Sequence, residues 1–233
     1  MVETAEKGKI NFITDMIYQR ANEHDYKIHE KLREANEQKG LKPEKLYADS
    51  SYISGIEINN YRKRNQELMG YVQLDSCKKD EDFKLDNFDI DPVKLEATCP
   101  TGKVSANTSI NKNGDINIYF SRSVCKECRF FEKCVGNNTK QIKRRLHLKP
   151  DYKHIRERRV EQKTEAFKKE MSVRAQVEGT ISEAVRFLGL RNAKYKGEDG
   201  HQYQFYLTAA ALNVKRLIKA MVNGREIAKW VTV

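Results

Sequence analysis

The chain has almost no structural punctuation: 4 Pro and 12 Gly in 233 residues, and a single Trp. This composition excludes a collagenous, Pro-rich or Gly-rich low-complexity protein. No apolar run approaches the roughly 20 residues that a membrane-spanning helix needs. The N-terminal stretch MVETAEKGKI has no apolar core of the kind a secretory signal carries, which predicts a cytosolic protein. In a reducing compartment the five Cys are thiols or metal ligands rather than disulfides.

What the chain has is charge, and it is unevenly placed. Hydrophobic residues make up 39% and charged residues 33%, enough for a core under a heavily charged surface. Residues 1–120 hold 18 Lys and Arg against 21 Asp and Glu; residues 121–233 hold 26 against 12. The overall +11 therefore belongs to the C-terminal half. A concentrated positive field is the footprint of a polyanionic partner, most often nucleic acid, although a solvated Lys-rich helix surface leaves the same trace.

Pattern predicts an alternation of strands and helices. Residues 9–18, 45–49 and 71–74 read as strands, and 26–39 and 56–67 as helices. Residues 75–94 carry Asp75, Asp80, Glu81, Asp82, Asp86, Asp89 and Asp91 with little periodicity and read as a solvated acidic loop. Residues 95–148 read as β-rich, with the turn KNGD (112–115) before the strand INIYF (116–120). One long helix is expected over 152–188, a break over 188–200, and a last helix over about 202–222.

Two clusters bear chemistry. Cys99, Cys125, Cys128 and Cys134 follow a C-x25-C-x2-C-x5-C spacing, with Cys77 apart as a bystander. A C-x2-C pair sets two thiolates on one turn, as tetrahedral zinc requires, and four sulfurs would close a structural site. The alternatives are plain thiols, or a redox pair. On the predicted long helix, Phe167, Met171, Ile181, Val185 and Leu188 recur at three- and four-residue steps, and Arg174 and Glu178 share that stripe. A charged pair there is either a structural bridge in the core or a metal-binding carboxylate facing a cleft, with an adjacent cation for phosphate. Gly179 follows directly, and a Gly inside a helix suggests that a backbone or a ligand comes close. Asp49, at the end of a predicted strand, is the natural partner of Glu178, because sites in open α/β sheets lie off the carboxyl ends of strands. Two such carboxylates suit a hard divalent cation, Mg²⁺ or Mn²⁺.

These motifs resemble the bacterial insertion-sequence DDE transposases. RAQVEGTISEAVRFLGLRNAKYKG (174–197) resembles their C-terminal signature, Tyr-x2-Arg-x3-Glu-x6-Lys, with Arg174 and Glu178 at the Arg and Glu positions. Met171 stands at the Tyr position and Val185 at the Lys position, with Arg186 next to it. YLTAAALNVKRLIKA (206–220) resembles the closing helix. LKPEKLYADSSYISG (41–55) resembles the segment that ends in the second catalytic Asp, here Asp49. TCPTGKVS (98–105) and FSRSVCKECRFFEKC (120–134) resemble the cysteine-bearing insert.

The resemblance implies an α/β fold: a truncated RNase H-like core (1–74), an acidic loop and β-rich cysteine insertion (75–148), and long C-terminal helices completing the core (149–233). It implies metal-dependent DNA strand cleavage and strand transfer for a mobile element. Asp49 and Glu178 would hold catalytic Mg²⁺ or Mn²⁺, and Cys99, Cys125, Cys128 and Cys134 a structural Zn²⁺. Arg174, Arg186 and Arg191, together with Lys143, Arg144, Arg145, Arg158 and Arg159, would contact DNA. The family's first catalytic Asp has no counterpart at its expected position; Asp15 and Asp25 are acids in that half, but neither occupies it. The resemblance therefore implies a C-terminal portion that is inactive alone, with an upstream fragment or a full-length copy as partner, in the bacterial cytoplasm at the nucleoid. The alternatives are a non-catalytic DNA-binding or regulatory remnant and a zinc-stabilised adaptor.

Overall fold

A computed structural model describes residues 1–6, 8–20, 22–23, 27–73, 81–91, 93–136 and 142–223. Asp25, Asp75, Cys77 and Asp80 lie outside the described residues. The first half contains β1 (Val2–Glu3), β2 (Ile13–Asp15), α1 (Ile28–Gln38), β3 (Lys45–Tyr47), α2 (Gly55–Arg62) and β4 (Glu67–Met69). Then follow β5 (Asp89–Asp91), β6 (Glu96–Thr98), β7 (Asn107–Ile110), β8 (Ile116–Tyr119), α3 (Arg122–Lys126), α4 (Phe131–Val135) and β9 (Arg145–Leu148). The chain ends in α5 (Tyr152–Glu161), α6 (Glu165–Met171), α7 (Arg174–Leu188) and α8 (Gly197–Asn223). Helix and small sheets are mixed, and no described helix is long and apolar enough to cross a membrane. The contacts divide the chain into two compact units.

The first unit comprises residues 1–53, 61–70 and 162–233. β3 and β4 pair in parallel with Leu46 opposite Leu68, and β1 and β2 pair antiparallel. One core joins Ile13 and Met16 to Ala184 of α7 and to Ala209 and Leu212 of α8. Side-chain amides of α8 satisfy the backbone beside β2. Asn213 accepts from Ile13 N at 2.8 Å and donates to Ile13 O at 2.9 Å, and Gln202 does the same for Tyr18 N and Met16 O. The predicted strand over 9–18 thus shrinks to three residues, because Asn11 folds the preceding loop by bonding Glu6 N and Glu6 O. Residues 71–73 are not a strand. The strand is Glu67–Met69, where Leu68 and Met69 are buried. It stops at Gly70, where an added Cβ would lie 2.5 Å from Ile53 Cδ1 and 2.8 Å from Ala48 O.

The predicted long helix over 152–188 is three helices. Thr164 caps α6 by accepting from Phe167 N, and the Ser172 hydroxyl donates back to Lys169 O, competing with continuation of the helix. α7 ends at Gly189, whose φ of 65° is the left-handed conformation a helix C-terminus uses.

The second unit comprises residues 54–60 and 71–161. β7, β8 and β9 form an antiparallel sheet, and β5 pairs with β6. Phe88, Ile90, Ala97, Ile118, Phe120, Leu146 and Leu148 form its core. The acidic segment is therefore not only a solvated loop. Phe83, Phe88 and Ile90, interleaved among its acids, are buried, and Asp86 accepts from Arg159 at 2.6 Å and from the Tyr152 hydroxyl at 3.2 Å.

Candidate active site

Asp49 stands two residues beyond β3, at the carboxyl end of the parallel pair, where strand dipoles and the following loop converge. Ala48 still bonds Met69 O, and Gly70 packs against Ala48 O, so the backbone beneath Asp49 is fixed from the β4 side. Asp49 then caps a short 3₁₀ turn, Ser50–Tyr52, by accepting from Ser50 N at 2.6 Å. From below, buried His29 of α1 holds that turn: its Nε2 lies 2.7 Å from Tyr52 O and its Nδ1 3.3 Å from the Tyr61 hydroxyl.

Glu178 arrives on α7. Helical spacing divides that helix into two faces. Thr180 and Ala184 are buried, whereas Arg174, Val177, Glu178 and Ile181, at steps of three and four, line a cleft of about 820 Å³. Asp49, Tyr47 and Lys45 line the same cleft. Arg174 ties the two acids together: its Nη2 lies 3.6 Å from Asp49 Oδ1 and 3.5 Å from Glu178 Oε1. The carboxylate side chains are 60% and 69% exposed, and Arg174 only 24%. These contacts are longer than direct hydrogen bonds, and pairs this exposed contribute about 0–1 kcal/mol. Arg174 thus gathers the two acids without locking them. Behind it, Glu170 of α6 accepts from Lys45 Nζ at 2.5 Å and from the Tyr47 hydroxyl at 3.1 Å. The Glu170 bond holds the Lys45 ammonium above its ordinary pKa, and burial raises the Tyr47 phenol.

The stripe containing Arg174 and Glu178 is therefore split between two helices, and on α7 Arg174, Glu178 and Ile181 border the cleft, Ile181 being 40% exposed, whereas Leu188 packs against the core. Among the described residues, no atom outside its own helix comes within 4 Å of a Cβ built on Gly179, so no neighbouring backbone among them packs against it. Asp15 is buried on β2 and bonded by Lys39 Nζ at 2.6 Å. His29, Tyr47, Lys45 and Glu170 escaped the sequence reading. Their signal was weak: a His on the apolar face of α1, and a Lys-x-Tyr strand just before Asp49.

The four cysteines sit in the second unit. Cys99 lies at a tight turn: Gly102 N donates to Cys99 O at 2.8 Å, and Lys103 N reaches Cys99 Sγ at 3.4 Å. Cys125 is on α3, Cys128 follows it, and Cys134 is on α4. Cys99, Cys125 and Cys134 pack against one core. Burial first, and then the charges of Cys125, Cys99 and Cys128, push the Cys134 thiol up to about 12. Among the described residues, no three His, Cys, Asp or Glu side chains stand in metal-ligating geometry.

The basic residues separate into two kinds. Arg186, Arg191 and Arg145 are exposed. Lys143 lies 4.8 Å from the Tyr119 ring centroid. Arg144 and Arg158 are buried instead. The Arg144 guanidinium donates to Cys134 O and Phe83 O, both at 3.0 Å, and stacks on Phe88, and Arg158 pairs with Glu161 at 3.0 Å. The expected phosphate contact from these two guanidiniums is corrected by their burial.

Comparison with curated proteins and with solved structures returns no match. Comparison with protein families matches residues 98–218 to the transposase DDE domain, a span that contains Glu178, Arg174 and all four clustered cysteines and begins after Asp49. The match covers more than half of the chain, which belongs to the transposase DDE domain family.

Proposed function

We propose that the cleft holding Asp49 and Glu178 is the metal-dependent strand-cleavage and strand-transfer site of a DDE transposase with an RNase H-like core. The single observation that carries this reading is one guanidinium, Arg174, standing between two exposed carboxylates at the carboxyl end of a parallel strand pair. Transposase DDE domains use divalent metal ions. Asp49 and Glu178 present the hard oxygen donors that Mg²⁺ or Mn²⁺ prefers, and their exposure leaves them accessible to a solvated ion. Such an ion activates the attacking oxygen and stabilises the leaving one in an in-line displacement. The protein's own part is positional. Ser50 N fixes one oxygen of Asp49, His29 fixes the turn behind it, and Arg174 would be free to meet phosphate if a metal held the two carboxylates. Arg186 and Arg191 then neutralise DNA backbone in this unit, and Lys143 and Arg145 in the other.

Two-metal chemistry uses about three carboxylates, and Arg174 gathers two. In this reading the third comes from a partner copy, and the 233 residues alone bind DNA ends without cleaving them. In this reading residues 1–74 and 149–233 are the partial core, and residues 75–148 are an insertion closed by Zn²⁺ on Cys99, Cys125, Cys128 and Cys134. What supports it is the donor chemistry: four soft thiolates suit zinc, three of the cysteines pack against one core, and a turn aims an N–H at the sulfur of Cys99. The protein works in the bacterial cytoplasm at the nucleoid.

The test is strand cleavage of labelled element ends with Mg²⁺, using the chain together with a partner that supplies the third carboxylate. Glu178→Gln and Asp49→Asn should each lower the rate on the order of 10³-fold while leaving the circular dichroism unchanged. Full activity in either variant would contradict the assignment.

A further inference from the structure

Two facing rows of side chains meet at the wall of the cleft. On the strand side, Lys45, Tyr47 and Asp49 alternate onto one face, because β3 and the extended backbone at Asp49 repeat every two residues. On the helix side stand Glu170 in the last turn of α6, Arg174 at the start of α7, and Glu178 one turn further on. A two-residue step along a strand advances about 6.6 Å and a four-residue step along a helix about 6 Å, so rows with these spacings keep pace with each other. Glu170 meets Lys45 and Tyr47, and Arg174 meets Asp49.

We propose that Glu170 is the positioning residue that sets this register, bringing Arg174 and Glu178 opposite Asp49 without itself holding the metal. The role rests on the reading of Asp49 and Glu178 as the metal site, and four observations carry it. First, a single oxygen of Glu170 accepts from Lys45 Nζ at 2.5 Å and from the Tyr47 hydroxyl at 3.1 Å. Two donors a strand repeat apart fix its place along β3, the strand that leads to Asp49. Second, the other anchors of α6 do not choose a register. Phe167 and Met171 are buried, but apolar packing is non-directional. Third, hydrogen-bonded turns carry the anchor across the break between the helices. Val173 N bonds Glu170 O at 3.3 Å, and Gln176 N bonds Val173 O at 3.2 Å, so the place of Glu170 decides where α7 begins. Fourth, the bonded oxygen already carries an ammonium. Lys45 also lies 3.5 Å from Glu67, its partner across the parallel pair, so this cation is held in place from β4 as well. A carboxylate neutralised in this way has little charge to offer a divalent ion.

Two measurements test the proposal. In the first, Asp49→Cys and Glu178→Cys are introduced together and joined by a short bis-maleimide, and the linked peptide is quantified by mass spectrometry. The yield should fall several-fold in Glu170→Leu, which removes both bonds, and recover in Glu170→Gln, whose amide oxygen still accepts from Lys45 and Tyr47. Tyr47→Phe, which keeps the ring and loses one bond, should fall between them. Equal yields in all these backgrounds would overturn the proposal, whether or not the protein binds metal. In the second, Mn²⁺ is titrated into the chain with Asp49 and Glu178 intact. Glu170→Leu should bind roughly tenfold more weakly than the wild type, and Glu170→Gln close to it. Loss of binding in Glu170→Gln as complete as in Glu178→Gln would make Glu170 a ligand and overturn the positioning role. A cross-link that responds to Glu170, in a wild type that binds no Mn²⁺, would uphold the register and refute the metal site instead.

Discussion

The two units hold their reactive groups in opposite ways. In the first unit, Asp49 just beyond a short strand and Glu178 within a helix are 60% and 69% exposed and are joined by an arginine at more than hydrogen-bonding distance. In the second, Cys99, Cys125 and Cys134, each partly buried, pack against a finished core, and burial keeps Cys134 protonated far above neutral pH. An open oxygen pair suits a cation that must meet substrate. A closed sulfur group suits one that only holds the fold together. On the proposed reading, exposure more than residue type would separate a working site from a structural one in this chain.

The largest effect should come from the closed group. Stripping metal with a chelator, or Cys128→Ser, should destabilise the second unit by several kcal/mol, since zinc held on four thiols would be folding free energy. Loss of the near-ultraviolet signal of its Phe and Tyr residues would show it, and an unchanged melting curve would reduce the four cysteines to plain thiols. A smaller effect is expected under the open site. Gly70→Ala puts a methyl against Ala48 O and Ile53, directly beneath Asp49, and should cost about 1–3 kcal/mol by overpacking. Urea denaturation measures it, and a neutral result would free Asp49 from the support assigned to β4. The smallest effect is a pH dependence that only the metal-free closed group should show. Cys134 rises from an ordinary 9.0 to about 12, so the native state keeps a proton that the unfolded chain releases. The stability this contributes is complete below pH 9 and fades as pH climbs to about 12. Melts between pH 8 and 11 in chelator should fall more steeply than melts in zinc.

Much of the frame was readable from pattern because local rules and tertiary packing agree there. α1, β3, β8 and α8 fall where periodicity puts them, and KNGD makes its turn because Gly114 adopts a φ of 79°. Failures came where side chains override pattern. Thr164 and the Ser172 hydroxyl cut a periodic stretch into three helices, and Gly70 moved a strand four residues upstream of its apparent place. Phe83 and Phe88 drew an acidic stretch into a core that its composition disguised. At the site, Asp49, Arg174 and Glu178 were visible as residue types in a family-like order. Their joining by one guanidinium was not, because the pairing spans more than a hundred residues of sequence. The burial of Arg144 and Arg158 was equally hidden, since nothing local distinguishes a core guanidinium from a surface one.

The most direct test of the central claim is a manganese titration of the zinc-loaded chain, following free Mn²⁺ by electron paramagnetic resonance. The account predicts weak binding by the wild type, on the order of 10⁻⁴–10⁻³ M for so few protein oxygens. It predicts loss of that binding in Glu178→Gln and in Asp49→Asn, and tighter binding in Arg174→Gln, which removes the cation that competes for both carboxylates. Binding unchanged by all three substitutions would contradict it.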